Sequence, residues 1–228
     1  MLLACLRVLL VMPVLYSQVL TNSSYLNWSE KQAIEIGKNM RATGHVSGTG
    51  RGIFNTEKSI GYKIRATWIT PDVIRATARL HQIQNRSSDE EIKLLVSKAA
   101  KRAGMVFMIE IDPNEGSGVV PSDWQAFLQP KRSELGKADT VAGINTPALR
   151  EELLFGGVFH RDYNYDVYWV VFPQCTREEK PLFTDADKEI ELIIRIEKRE
   201  GKIRLPISES MREKIPCERY GVVLQDEH

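Results

Sequence analysis

Cysteine and histidine are scarce in this chain, at three and four of 228 residues. Cys5, Cys175 and Cys217 form no Cys-x-x-Cys pair and neighbour no histidine, which excludes a zinc finger or ribbon. His45, His81, His160 and His228 show no i, i+4 or short-loop spacing, so a helical two-histidine metal site is excluded too. No run of five like charges, tandem repeat, heptad pattern or low-complexity tract occurs. Charged tails, solenoids and coiled coils are thereby ruled out. The formal net charge of +1 singles out no partner. Residues 1–103 hold 15 Lys and Arg against 7 Asp and Glu, and residues 104–228 hold 16 against 23. If both halves fold together, these charges mix on one surface. Basic residues do not interleave with aromatics in a stripe, so no nucleic-acid partner is expected.

Catalytic motifs are also missing. The glycine-rich stretch Gly44-His-Val-Ser-Gly48-Thr-Gly50-Arg-Gly52 has no terminal Gly-Lys-Ser/Thr and is not a P-loop. The third glycine of the dinucleotide fingerprint would stand at position 53, which is Ile53. The stretch therefore reads as a flexible connection. Ser47 lies outside any Gly-x-Ser-x-Gly elbow. His160-Arg-Asp162 spells the kinase catalytic triplet without the other kinase signatures. The loop 112–118 offers Asp112, Asn114 and Glu115 as candidate metal ligands. Gly116 stands where a calcium loop needs its third oxygen, and Ser117 where it needs glycine. Asp185-Ala-Asp187-Lys-Glu189 spaces its carboxylates by two and reads as the solvated side of a strand. No cofactor is expected.

What is present describes an ordinary globular chain, 43% hydrophobic and 27% charged, long enough to bury a core without metals or dense disulfides. Arg7 precedes the apolar run 8–16, and Ser17-Gln18 follows it. That is the layout of a secretory signal peptide over residues 1–20, too short to span a bilayer. Export removes Cys5 and leaves Cys175 and Cys217 as an even pair for one disulfide. Its loop of about forty residues would contribute about 3–4 kcal/mol in the chain-entropy model.

Hydrophobic periodicity then gives a mixed order. Ser29 and Gln32 form a capping box for a helix to about Ala42. Residues 60–69 alternate, with Tyr62, Ile64, Ala66 and Trp68 on one face and Lys63, Arg65 and Thr67 on the other, which predicts a half-buried strand. Thr70-Pro71-Asp72 opens a helix ending near Asn85. Ser88 and Glu91 box a second, which Gly104 closes. Residues 105–111 read as a buried strand. Residues 122–128 read as a short capped helix, 131–145 as a long surface loop, and Thr146-Pro147 as a helix start. Tyr165, Val167, Trp169 and Val171 share one face of a strand ending at Phe172. Ile190, Leu192, Ile194 and Ile196 face the same way as Ile203, Leu205 and Ile207. A four-residue turn, 198–201, would put Ile196 beside Ile203.

Helices gather early and strands late. The expected fold is α+β, an antiparallel or mixed sheet with N-terminal helices on one face. The expected organisation is a leader at 1–20, a helix and Gly-rich linker at 21–59, and a single α+β domain at 60–228. The functional expectation is an extracytoplasmic, non-enzymatic binding or interaction module. Its partner would be a small molecule, a glycan or an envelope protein, and membrane contact would come only through an uncleaved leader. A secreted hydrolase built on His160, Asp162 and Asp166, with Asp112 and Glu115 nearby, is the second reading. A structural subunit of an envelope assembly is the third.

Overall fold

A computed structural model describes residues 23–47, 61–101, 105–114, 118–131, 140–149, 165–176, 178–207 and 211. After a 3₁₀ turn at Ser23–Asn27, helix α1 (Glu30–Asn39) starts on the expected capping box. The Gln32 N–H donates to Ser29 Oγ at 3.2 Å, and the Ser29 N–H donates to Gln32 Oε1 at 2.8 Å. The helix stops three residues short of expectation. Met40 leaves helical geometry, and its carbonyl accepts from the Trp68 N–H at 2.9 Å, which commits the next residues to a strand. Thr70 caps α2 (Pro71–Asn85), and Arg86 ends it in the left-handed region at φ 55°. Ser88 and Glu91 box α3 (Asp89–Lys101).

Among the described residues, nine strands follow one another as β1 (Arg41–Val46), β2 (Gly61–Trp68), β3 (Met105–Asn114), β4 (Gln125–Pro130), β5 (Val141–Ala142), β6 (Ile144–Asn145), β7 (Asp166–Phe172), β8 (Glu189–Ile196) and β9 (Arg199–Pro206). They form two antiparallel sheets, ordered β1-β2-β3-β7-β6 and β5-β4-β8-β9. The fold class is therefore α+β, as the sequence suggests. Three local expectations are corrected. The glycine-rich stretch begins inside β1 rather than in a loop. Residues 125–130 are a strand, because Ala126 and Leu128 alternate into the core while Phe127 faces out beside Arg195. The stretch expected as a loop contains β5 and β6, which join the two sheets.

That junction turns on Gly143, whose N–H donates to the Ala126 carbonyl at 2.9 Å. A Cβ there would stand 2.4 Å from Val170 Cγ1 and 2.6 Å from the Phe172 ring, so only glycine lets the chain cross between sheets. The opposite edges also meet. A Cβ on Gly44 would lie 2.9 Å from Ile203 Cγ1 and 3.0 Å from the Lys202 carbonyl, and Ser47 forms an isolated antiparallel bridge with Glu200. The sandwich is thus drawn in at both sides like a flattened barrel.

Its interior is filled. Tyr62, Ile64, Trp68, Phe107, Ile109 and Phe172 from the five-stranded sheet meet Leu128, Leu192, Ile194, Ile196, Ile203 and Leu205 from the other. Trp68 stacks on Phe107 with centroids 5.5 Å apart, and Phe172 meets Phe107 edge-on at 5.4 Å. The helices lie on the outer face of the five-stranded sheet, where Val73, Ile74, Ala78, Ile92 and Val96 cover Val106, Met108 and Trp169. The β8–β9 connection is a two-residue turn, Glu197-Lys198, pairing Ile196 with Arg199 and Leu192 with Ile203. Even loop lengths all keep the apolar face in register, so the sequence constrains parity but not length. Glu197 takes the left-handed conformation at φ 54°. Gly201 instead lies within β9, where it admits β1.

Candidate functional site

The outer face of the five-stranded sheet is read row by row across β1, β2, β3 and β7. The register sets Arg41, Thr67, Met108 and Trp169 in one row and Thr43, Arg65, Glu110 and Val167 in the next. His45, Lys63 and Asp112 form a third. Alternation sends every one of these side chains to the helix side. The helices cover Met108 and Trp169. Beyond them Thr43, His45, Lys63 and Val167 are exposed.

Glu110 marks the border. Its side chain is only 4% exposed, inside the otherwise apolar run 105–111 of β3. Arg41 reaches from β1 across β2 to donate to Glu110 Oε2 at 2.7 Å, and Arg65 approaches Oε1 at 3.4 Å. A carboxylate buried this deeply needs such partners, because an uncompensated charge would be far costlier there than in water. The Arg65 guanidinium also lies over the Tyr165 ring, 4.4 Å from its centroid, a cation–π contact that fixes its plane.

The outermost row is different. Lys63 and Asp112 are direct cross-strand partners on β2 and β3. Neither forms a hydrogen bond or ion pair with another described residue. The His45 ring lies beside Lys63, folded over Gly61. A Cβ on Gly61 would stand 2.4 Å from His45 Cε1 and 2.7 Å from Nε2, so the missing side chain gives the imidazole its seat. The ends of β1 and β3 and the starts of β2 and β7 all lie at this edge of the sheet.

The sequence-derived candidates distribute unevenly. Asp112 is half-buried in the outermost row. Asn114 closes β3 by pairing with Gly61, its side chain outside the described residues, as is all of Glu115. Asp166 pairs with Ile111 on β7, so it faces the opposite side of the sheet from Asp112. Near it Tyr168 packs against Trp124 at 4.6 Å between ring centroids. Burial raises the Tyr168 phenol above its ordinary value, the Asp166 charge adds to this, and the Trp124 hydrogen bond acts against it. His160, Asp162 and Cys217 lie outside the described residues. Cys175 forms an isolated bridge with Pro181. Asp187, expected on a solvated strand face, is buried. Its Oδ2 accepts from the Thr184 N–H at 2.7 Å and the Thr184 hydroxyl at 2.9 Å, which closes the turn before β8. Among the described residues, no three His, Cys, Asp or Glu side chains gather as a metal site, and no helix is long and apolar enough to cross a membrane.

No protein-family model matches the chain, and neither a curated protein nor a solved structure does. The site therefore stands on its own geometry. Sequence reasoning named Lys63 and Arg65 only as the polar side of a strand. It missed Arg41 and Glu110 altogether. The one available signal was Glu110 itself, a lone carboxylate in the apolar run 105–111, since a charge at a buried strand position demands a partner from elsewhere.

Proposed function

We propose that this chain is an exported, non-enzymatic binding module that takes its ligand on the uncovered end of the five-stranded sheet. One observation carries the reading: Lys63 and Asp112 oppose each other there with no described partner for either charge. Around them the surface is stiff. Arg65 is clamped between Tyr165 and Glu110, and His45 is seated on Gly61. Fixed polar groups on sheet strands lose little freedom when a ligand arrives, which favours binding. The apolar run behind Arg7 supports export. In that setting a bond between Cys175 and Cys217 is part of the proposal. The hydrolase reading draws less support, since Asp112 and Asp166 point to opposite faces of the sheet.

The test has two arms. Cells expressing the full chain are fractionated, and the product is weighed intact with and without reductant. Export predicts a mature form shortened by about twenty residues, the length of a typical leader, and two hydrogens lighter until reduced. An uncut product with free thiols in the cytoplasm overturns export. In the second arm the amide resonances of the ¹⁵N-labelled protein are followed while glycans, small acids and peptides are added. Saturable shifts confined to Lys63, Arg65 and Asp112 support the site. Release of a new product from any of these ligands overturns the non-enzymatic reading.

A further inference from the structure

The sheet end carries more than one kind of charge, and their arrangement selects a ligand. Three cations, Arg41, Arg65 and Lys63, face two carboxylates, Glu110 and Asp112, on this side of the sheet. Glu110 is consumed by the two arginines. Lys63 is left to attract an anion, and the half-buried Asp112 to accept hydrogen bonds. An ionised carboxylate only accepts and an ammonium only donates. A ligand that satisfies both must present an anionic group and, a few ångströms away, hydroxyl donors. Inorganic phosphate meets the first requirement but is repelled by Asp112. A neutral sugar meets the second but leaves Lys63 without a counter-charge.

We propose that the Lys63–Asp112 end of the sheet binds an acidic sugar, its carboxylate on Lys63 and its ring hydroxyls on Asp112. The proposal rests on the reading of this end as the binding face. Exposure of Lys63 keeps the site shallow and partly screened, so affinity falls as salt rises. His45 borders the same row and limits the ligand on the β1 side.

The experiment uses the folded chain and three probes: an oligogalacturonate, the corresponding neutral galactose oligomer, and inorganic phosphate. Amide shifts are recorded for each, and for the variants Lys63→Met and Asp112→Asn with the oligogalacturonate. Both substitutions sit at solvent-reached positions, and unchanged spectra elsewhere verify that the variants fold. The expected result is saturable shifts at Lys63, Arg65 and Asp112 with the oligogalacturonate alone, weakened about tenfold or more in each variant, the size of one lost charge-assisted contact. Equal binding of the neutral oligomer, tighter binding of phosphate, or full affinity in either variant overturns the ligand class while leaving the binding face in place. No shift at these residues with any probe overturns both.

Discussion

The carbonyl oxygen of His45 lies 2.6 Å from the point where a Cβ on Gly201 would stand, with Val46 Cγ2 at 2.8 Å. The obstruction is backbone, which cannot turn aside as a side chain can. Gly201→Ala therefore forces β1 away from β9 and is expected to cost about 2 kcal/mol, in the range of overpacked cores. Urea denaturation measures it. Gly37→Ala on α1, where nothing lies within 4 Å of the added methyl, should instead gain about 0.5–1 kcal/mol from helix propensity. Equal effects in the two variants would contradict the contact.

Glu110 makes a second case. Glu110→Ala leaves Arg41 and Arg65 facing each other over a largely buried strand and should cost about 3 kcal/mol. Arg41→Met should cost less, because Arg65 remains to face the carboxylate. Combining Arg41→Met with Glu110→Ala yields an expected coupling of about 1–2 kcal/mol. Additivity within about 0.5 kcal/mol would show that the 2.7 Å contact contributes nothing to stability.

Thr67 bears a hydroxyl that is fully buried and makes no hydrogen bond among the described residues. Thr67→Val keeps the branched shape and removes the desolvated group. The expected outcome is a gain of about 1 kcal/mol by thermal or urea unfolding. A loss of similar size would show that the hydroxyl has a partner, such as an internal water.

Acid stability should depend on Glu191. Burial raises its carboxyl, but the hydrogen bonds and charge of Lys202, with help from Gln129 and Arg204, outweigh this and hold it below the usual carboxylate range. A depressed folded-state pKa means the stabilisation is complete above the unfolded value, about 4.3 for glutamate. It is lost as pH falls through the folded value. Stability measured against pH should therefore decline below about pH 4, and Glu191→Gln should flatten that decline. An unchanged acid limb would count against the assignment.

Local chemistry explains which parts of this fold the sequence discloses. The caps at Ser29, Thr70 and Ser88 involve residues three apart, so α1, α2 and α3 are readable from side-chain types alone. The strand containing Trp68 and the hairpin strands β8 and β9 are equally plain, since a two-residue period leaves little choice. At β4 the local capping pattern at Ser122 favours a helix, and the short alternation of 125–130 becomes decisive only through pairing with its neighbour β8. β5 and β6, two residues each, hold no period, and their pairing depends on Gly143 fitting against Val170 and Phe172 from a distant strand. The candidate site divides along the same line. Lys63 and Arg65 were visible as the polar side of β2, whereas the reach of Arg41 to Glu110 spans 69 positions and leaves no local trace.

Around the barrel, the strands within each sheet are laced by ladders and β5 runs directly into β6 through Gly143, whereas β9 returns to β1 with neither ladder nor direct chain connection. There the described contact is close packing and the single Ser47–Glu200 bridge. A ring with one stitched seam opens at the stitch. When it does, β1 and β9 become bare edges whose free amides and carbonyls suit each other in any second copy of the chain. The two glycines that let this seam close thus also guard against exchange of β1 between molecules, and concentrated protein held near its unfolding midpoint is where swapped pairs should accumulate.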